Sequence, residues 1–303
     1  MTHPSPTSPV SRRLILQASA VLPAVACAAR ETRPAPSPAP VPFTQHRFTS
    51  ADGTSLSYFR HGNGPPLVWV HGALSLWSDW RNVAEHLSPG FTHYVLERRG
   101  RGHSADGAAY SLEREVEDVL ALLKVAGPDA ALFGHSYGGV LALEAARRAA
   151  PAKLLLYEPP FPITQPVSGP ALAEFERALS QEGPDAALVV FNRKVLLTPE
   201  PELEAFRQTP QWSRQVEMTP RFARELRALE GLPLGLEAYR EVRAPTLVLL
   251  GANSTEVLLA QPCRALVTAL ADARLSVLAG QGHVAHVTAP ALLAREVSAF
   301  LRE

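Results

Sequence analysis

The sequence contains little cysteine and carries no net charge, and both features exclude whole classes of protein. Only Cys27 and Cys263 are present among 303 residues, so a disulfide framework is excluded, and no cysteine–histidine spacing predicts a metal site. Basic and acidic residues balance at 29 each, which argues against the broad basic surface of nucleic-acid-binding proteins. No apolar run has membrane-spanning length. The 46% hydrophobic content is enough for one large core with an inserted subdomain.

The first 27 residues are typical of an export signal. Arg12 and Arg13 precede a modestly apolar stretch, residues 18–26, which resembles a twin-arginine signal. Residues 24–26 read Ala-Val-Ala and offer a cleavage site before Cys27. That cysteine also resembles a lipoprotein attachment site, although the usual leucine three residues earlier is missing. We therefore expect a periplasmic or extracellular protein, attached to a membrane only if Cys27 is lipidated. A disordered leader on a cytoplasmic protein is the alternative.

A proline- and alanine-rich linker, residues 28–43, follows the export signal. Proline occupies every second position from Pro34 to Pro40, so this stretch cannot form helices or sheet ladders. The composition predicts a polyproline-like spacer between the leader and the folded part of the chain.

Strand and helix patterns alternate after the linker. Such alternation predicts an α/β fold with a mostly parallel central sheet flanked by helices, here opened by a hairpin around Asp52-Gly53. Residues 44–160 and 240–303 are assigned to this core. Between them, residues 161–239 break the alternation and predict an inserted helical lid, with helices over 171–181, 185–196, 200–208 and 219–229.

The motif Gly134-His135-Ser136-Tyr137-Gly138 lies between a predicted strand and a predicted helix. A serine on such a sharp turn presents its hydroxyl at the top of the sheet, beside backbone amides that can stabilise a developing oxyanion. We therefore predict that Ser136 is a nucleophile. A glycine-rich turn that carries an ordinary helix-capping serine is the alternative.

Further motifs follow other predicted strands in a recognisable order. They are His71-Gly72-Ala73, the stretch from Glu97 to Ser104, and Gly282-His283. Together with Gly-x-Ser-x-Gly, they resemble the α/β-hydrolase family over residues 46–303. The resemblance implies an α/β-hydrolase fold and places the site at the carboxyl ends of the strands.

The resemblance also implies roles for individual residues. His283 is the expected general base, preferred over His286 because it ends a strand. The backbone amides of Tyr137 and Ala73 are the expected oxyanion hole, with Leu74 next in line. His71 is expected to support the oxyanion loop through hydrogen bonds.

The stretch after the fourth predicted strand contains many charged side chains. The resemblance implies that this stretch is mainly a structural loop beside the site. We expect Arg98, Arg99 and Arg101 to stabilise this loop from the surface, where most arginines lie. His103 is expected to be structural as well.

The acid of the expected triad is missing from its usual place. Family members commonly carry aspartate shortly after the seventh strand, where this chain has Ser254. Two carboxylates are candidates to orient the histidine: Glu158, directly after the sixth strand, and Glu256, two residues past the usual site. We prefer Glu158 because a strand end holds a side chain more rigidly than a loop does.

A serine nucleophile predicts an acyl-enzyme that water hydrolyses, without a cofactor or metal. Carboxylic esters are the expected substrates, and lactones, amides and carbon–carbon bonds are alternatives. A ligand-binding or sensor protein on a hydrolase scaffold is a second hypothesis, and an acyltransferase or cofactor-free peroxidase is a third. The expected partner is a small, apolar molecule selected by the lid, whose segment around Trp212 is expected to face the cleft.

Overall fold

The described part of the chain folds around one central sheet. A computed structural model of the protein describes residues 42–88 and 90–303. The export signal over residues 1–27, Cys27 and nearly all of the 28–43 linker therefore lie outside the described residues. The strands are β1 Thr44–Thr49, β2 Ser55–Gly62, β3 Pro66–Val70, β4 Thr92–Glu97, β5 Ala131–His135, β6 Leu154–Tyr157, β7 Thr246–Gly251 and β8 Ala273–Leu278.

These strands form one sheet in the order β1-β2-β4-β3-β5-β6-β7-β8. The β1–β2 and β2–β4 pairs are antiparallel, and every other neighbouring pair is parallel. All residues of β5, β6 and β7 are buried, as expected for parallel strands covered on both faces. The predicted fold class and the predicted opening hairpin are confirmed.

Helices cover both faces of the sheet. Helices α2 Leu112–Ala126, α3 Tyr137–Ala146 and α8 Gln261–Ala269 share one apolar cluster with inward-facing strand residues. Helices α1 Arg81–Leu87 and α10 Pro290–Arg302 share the cluster on the opposite face, and the short α9 Ala285–Thr288 lies beside them. Among the described helices, none combines the length and apolarity needed to cross a bilayer.

Four helices lie between β6 and β7: α4 Pro170–Gln181, α5 Pro184–Phe191, α6 Glu200–Arg207 and α7 Pro210–Glu230. They pack around an apolar cluster of their own, which also receives Leu74 from the loop after β3. We call them the α4–α7 segment. Its helices bring a second layer of apolar side chains over the carboxyl ends of the strands.

Two helix boundaries in this segment differ from the sequence prediction. The helix predicted over 219–229 begins at Pro210 and contains Pro220 in its interior. An interior proline costs a helix about 3 kcal/mol, but α7 buries Met218, Phe222 and Leu226, which offsets that cost. The helix predicted over 185–196 ends at Phe191, and a wider turn continues it to residue 196.

Candidate active site

Ser136 lies on the sharp turn between β5 and α3. Its backbone adopts φ 53° and ψ −126°, a conformation that non-glycine residues rarely take and that is retained when the surroundings impose it. The neighbouring glycines make this turn possible, because a Cβ at Gly138 would overlap the carbonyl oxygen of Val70, and one at Gly134 would overlap that of Gly138. The side chain of Ser136 is therefore presented at the end of the sheet, half-buried, at the start of α3.

The structure brings Glu158 and His283 into direct contact. Nδ1 of His283 lies 2.6 Å from Oε2 of Glu158, whose side chain is fully buried directly after β6. Because a carboxylate accepts the proton, this contact assigns the hydrogen to Nδ1 and leaves Nε2 of His283 as an acceptor. The histidine remains about one-quarter exposed, at 24%.

The second oxygen of Glu158 is held by β7 and the turn that follows it. The backbone N–H of Gly251 donates to Oε1 at 2.6 Å, and the hydroxyl of Ser254 donates to the same oxygen at 2.5 Å. Ser254 therefore stands where the resemblance places an acid and instead supports the displaced one. Sequence reasoning treated this serine as a vacant position, and its hydroxyl was the signal that it missed.

Glu256, the alternative acid, is placed elsewhere. Its side chain is 68% exposed and forms an ion pair with Arg264 on α8. No contact joins it to His283 among the described residues. Of the two candidate carboxylates, the structure brings only Glu158 to the histidine.

His286, the alternative base, is buried rather than exposed. Its ring stacks on Trp80 at a centroid distance of 4.5 Å, and burial lowers its pKa to about 3. Beside it, His135 donates from Nε2 to the carbonyl oxygen of His283 at 3.0 Å, and burial holds the pKa of His135 well below 6.5. Both rings are therefore neutral packing partners behind His283.

The expected oxyanion-hole residues lie at the cavity that Ser136 and His283 also line. Ala73 and Tyr137 line it, and neither backbone N–H has a hydrogen-bond partner within the described residues. Leu74, the next residue along the loop, takes a positive φ of 51°, which turns the chain sharply after Ala73. His71 supports this loop as predicted, since its Nδ1 donates to the carbonyl oxygen of Gly72 at 2.9 Å.

This inner cavity is small and mostly apolar. Its volume is about 40 Å³, and Ser136 and His283 both face it. The α4–α7 segment and the turns around it supply most of the remaining lining: Val167, Phe191, Val195, Leu196, Phe222, Leu226 and Leu229. A larger outer groove of about 420 Å³ shares Val167, Val195 and Leu258 with the cavity, so the two spaces adjoin.

Trp212 does not line this cavity, contrary to the sequence expectation. Its ring packs against Phe206, and its Nε1 donates to Asp185 at 2.7 Å. The same helix reaches the cavity further along, through Phe222. The amphipathic period of the 21-residue α7 directs Trp212 into the interior of the segment.

The arginines after β4 were expected at the surface, and that expectation is wrong. Arg98, Arg99 and Arg101 are each at most 2% exposed. Each guanidinium is paired with a buried carboxylate, which compensates for the loss of water: Arg98 with Glu115, Arg99 with Asp118, and Arg101 with Glu225. His103 differs from them, because its side chain is 56% exposed beside Glu97.

Within residues 42–88 and 90–303, no cluster of histidine, cysteine, aspartate and glutamate has the arrangement of a metal site. The one cysteine in this part of the chain, Cys263, is buried in α8, and burial raises the pKa of its thiol. It therefore lacks the exposure and thiolate character of a reactive cysteine.

Comparison with known proteins identifies the family of this fold. Residues 67–296 match the model of the alpha/beta hydrolase family. The N-formylmaleamate deformylase of Pseudomonas putida is 39% identical over 127 residues, which cover 40% of this chain and 45% of that protein. A pimeloyl-(acyl-carrier protein) methyl ester esterase of Vibrio vulnificus is 39% identical over 89 residues, or 29% of this chain and 34% of that enzyme. The chain thus spans less than half the length of these relatives.

A solved structure matches over a longer range. The crystal structure of an alpha/beta hydrolase from Sphaerobacter thermophilus superposes with a TM-score of 0.75 at 29% identity. The match covers 84% of this chain and 100% of that one.

Proposed function

Because the chain belongs to the alpha/beta hydrolase family, we propose that it is a serine hydrolase that cleaves carboxylic esters through an acyl-enzyme. The observation that carries the proposal is the hydrogen bond between Nδ1 of His283 and Oε2 of Glu158 beside a cavity that Ser136 also lines. A serine, a histidine and an orienting carboxylate are the three groups that this chemistry requires.

Each group has one task in the proposed reaction. Nε2 of His283 accepts the proton of Ser136 as the serine oxygen attacks the ester carbonyl carbon, while Glu158 stabilises the resulting imidazolium. The N–H groups of Ala73 and Tyr137 donate to the developing oxyanion. Collapse of the intermediate breaks the carbon–oxygen bond, and the histidine protonates the departing alcohol. Water then attacks the acyl-enzyme by the same route and releases the carboxylic acid.

Serine at position 136 separates this chemistry from that of relatives with a carboxylate nucleophile. An aspartate would form an alkyl-enzyme ester on its own side chain, as expected for epoxide or haloalkane cleavage. A serine hydroxyl instead attacks acyl carbon, so esters, lactones and activated amides are the substrates it suits. The N–H groups of Ala73 and Tyr137, which have no partner in the described part of the chain, support this assignment, since an acyl transition state develops its charge on oxygen.

The size of the cavity supports a compact group on one side of the cleaved bond. A space of about 40 Å³ beside Ser136 admits a few non-hydrogen atoms, while the adjoining groove of about 420 Å³ admits the rest of the substrate. The names of the relatives agree, since one acts on a formyl group and the other on a methyl ester. We propose small acyl or small alkoxy groups for the inner cavity, which is largely apolar.

The experiment for this proposal combines active-site labelling with a substrate panel. The full chain is treated with a fluorophosphonate probe, and we expect stoichiometric labelling that is lost in Ser136→Ala. Hydrolysis is then measured for a p-nitrophenyl ester series of increasing acyl length, an alkyl ester series of increasing alcohol length, and lactones. The series with the steeper size limit identifies the side of the ester that occupies the inner cavity. A protein that binds these compounds but shows neither labelling nor hydrolysis is a binding protein on a hydrolase scaffold.

We also propose that the protein is exported through the leader predicted over residues 1–27. The support is the Arg12-Arg13 pair, the weakly apolar stretch after it and the cleavage site before Cys27. Mass spectrometry of the mature N-terminus separates three outcomes. Cleavage without modification indicates an exported protein, acylated Cys27 a membrane-anchored one, and an intact leader a protein that is not exported by this route.

A further inference from the structure

A cluster of buried charges joins the α4–α7 segment to the site. Nη2 of Arg98 lies 2.7 Å from Glu115 on α2 and 2.9 Å from Glu225 on α7, and Arg101 lies 2.5 Å from the same glutamate. All four side chains are at most 2% exposed. The two positive and two negative charges balance, so the cluster is stable in the interior only while every member stays in place.

Arg98 also contacts the peptide unit that carries the first expected oxyanion donor, the N–H of Ala73. Its Nη1 donates to the carbonyl oxygen of Gly72 at 3.0 Å. That carbonyl belongs to the same peptide unit as the N–H of Ala73, because a planar peptide joins the C=O of one residue to the N–H of the next. Nδ1 of His71 donates to the same oxygen at 2.9 Å. The charged donor of Arg98 adds to it, so the two together fix the orientation of the Ala73 N–H and strengthen it as a donor.

The second expected donor is adjacent to the same guanidinium. The Cζ atom of Arg98 lies 4.6 Å from the centroid of the Tyr137 ring, and the Tyr137 hydroxyl is 2.7 Å from that of Tyr110. Tyr110 in turn donates to Glu115 at 2.9 Å. The ring of Tyr137, and with it the first residue of α3, is thus held between Arg98 and the carboxylate that Arg98 binds.

We propose that Arg98 is a positioning residue for both oxyanion donors, and that Glu225 makes this positioning depend on the α4–α7 segment. The inference rests on the proposed function, because it assigns a task to the same oxyanion hole. Glu225 is the only member of the described cluster contributed by that segment. When α7 is displaced, Arg98 and Arg101 lose a shared buried counter-charge, and Glu115 alone then holds the guanidinium of Arg98 at the Gly72–Ala73 peptide.

The neighbouring Arg99 provides a matched control. It is equally buried in the same loop, but its partners are Asp118 and Asp52, and among the described residues it contacts neither Gly72 nor Tyr137. Arg98→Met and Glu225→Gln are therefore compared with Arg99→Met and Asp118→Asn. A purely structural role predicts that the two pairs behave alike once their thermal stability is taken into account.

The measurement separates binding from chemistry. For the ester that the wild type hydrolyses best, we expect kcat to fall about 100-fold in Arg98→Met and about 10-fold in Glu225→Gln, with KM changed less than about threefold. The affinity for phenylboronic acid, which adds to serine as a tetrahedral anion, should fall in the same proportion. In the control pair, kcat should stay within about threefold of the wild type.

Equal losses of kcat in the two pairs, or a loss expressed in KM alone, would overturn the proposal. Where Arg98→Met does not fold, Arg98→Lys and Glu225→Gln decide the question, because both retain polar side chains of similar size. A wild type without fluorophosphonate labelling refutes the proposed function itself. A labelled and active wild type whose Glu225→Gln variant matches Asp118→Asn refutes only this inference.

Discussion

Oε2 of Glu158 and Nδ1 of His283 are 2.6 Å apart, although 125 positions separate these residues in the sequence. The contact forms because β6 and β7 are neighbours in the sheet, so the end of β6 lies beside the turn after β7 and close to the loop after β8. The positive φ of Glu158, 48°, directs the chain away at this point. A carboxylate directly after β6 can therefore reach the histidine that α/β-hydrolases more commonly pair with an acid after β7.

The first prediction concerns that carboxylate. Glu158→Gln keeps the shape of the side chain but removes the charge that stabilises the His283 imidazolium, so we expect kcat to fall by about three to four orders of magnitude. Glu256→Gln is the matched control, because Glu256 is exposed and paired with Arg264. Steady-state ester hydrolysis measures both variants. Near-full activity of Glu158→Gln with loss in Glu256→Gln would reverse our assignment of the acid.

A second prediction concerns the hydroxyl of Ser254. In Ser254→Ala, Oε1 of Glu158 keeps the N–H of Gly251 but loses one donor, and a hydrogen bond to a charged group contributes about 1.5–3 kcal/mol. We expect kcat to fall about 10-fold and Ser254→Thr, which retains the hydroxyl, to recover most of it. The kcat values of the wild type, Ser254→Ala and Ser254→Thr test this expectation. An alanine variant as active as the wild type would show that Gly251 alone holds the carboxylate.

Phe191 is expected to limit the size of the compact group. Its side chain lines the inner cavity, so Phe191→Ala enlarges the space beside Ser136. In the ester series for which the wild type shows a steep size limit, the ratio of kcat/KM for longer groups to kcat/KM for shorter groups should rise about 10-fold. Phe206→Ala removes an equal ring from the same segment where it packs on Trp212, away from the cavity. An identical shift in both variants would indicate general loosening rather than a change in the cavity.

Acid should destabilise the protein steeply because four buried histidines must stay neutral. Burial lowers the pKa of His93 and His286 to about 3 and those of His71 and His135 well below 6.5. The unfolded chain binds these protons near pH 6.5, so the folded state keeps its full stability above that pH and loses it as the pH falls toward 3. Each such histidine adds about 1.4 kcal/mol per pH unit to the slope.

Urea unfolding at pH 7, 6 and 5 tests this expectation. His93→Gln removes one titrating ring while retaining an acceptor for Nε1 of Trp69, which donates to His93 at 3.0 Å. We expect its slope to be lower by up to about 1.4 kcal/mol per pH unit. His46→Gln, at an exposed site on β1, serves as the control for replacing a histidine by glutamine outside the core. A slope unaffected by His93→Gln would mean that His93 takes up its proton as readily in the fold as in the unfolded chain.

The sequence predicted the sheet and its flanking helices, because these depend on local periodicity. The resemblance to α/β-hydrolases, and not the periodicity, implied that Glu158 lies near His283, and it left Glu256 as the alternative. It failed where tertiary contacts outweigh local preference. Pro220 ends a helix in isolation, yet α7 continues through it because its apolar stripe is buried. Arginine is usually exposed, so the sequence favoured the surface for the arginines after β4. Only the fold brings Glu115, Asp118 and Glu225 close enough to neutralise them in the interior.

The proposed acid, Glu158, directly follows β6, which keeps the proposed chemistry apart from the turn after Ser254 that lines the outer groove. Residues 255–258 directly follow Ser254 and line the outer groove, yet none of them orients His283. In a chain whose acid follows β7, changes in this turn put the reaction itself at risk. Under the proposed function, the turn here can accumulate substitutions, and even change length beyond Ser254, while Ser136 and Glu158 stay directly after β5 and β6 and His283 stays in the loop after β8. The outer groove is therefore the part of the molecule that can acquire new specificities most readily, in natural divergence and in directed evolution alike.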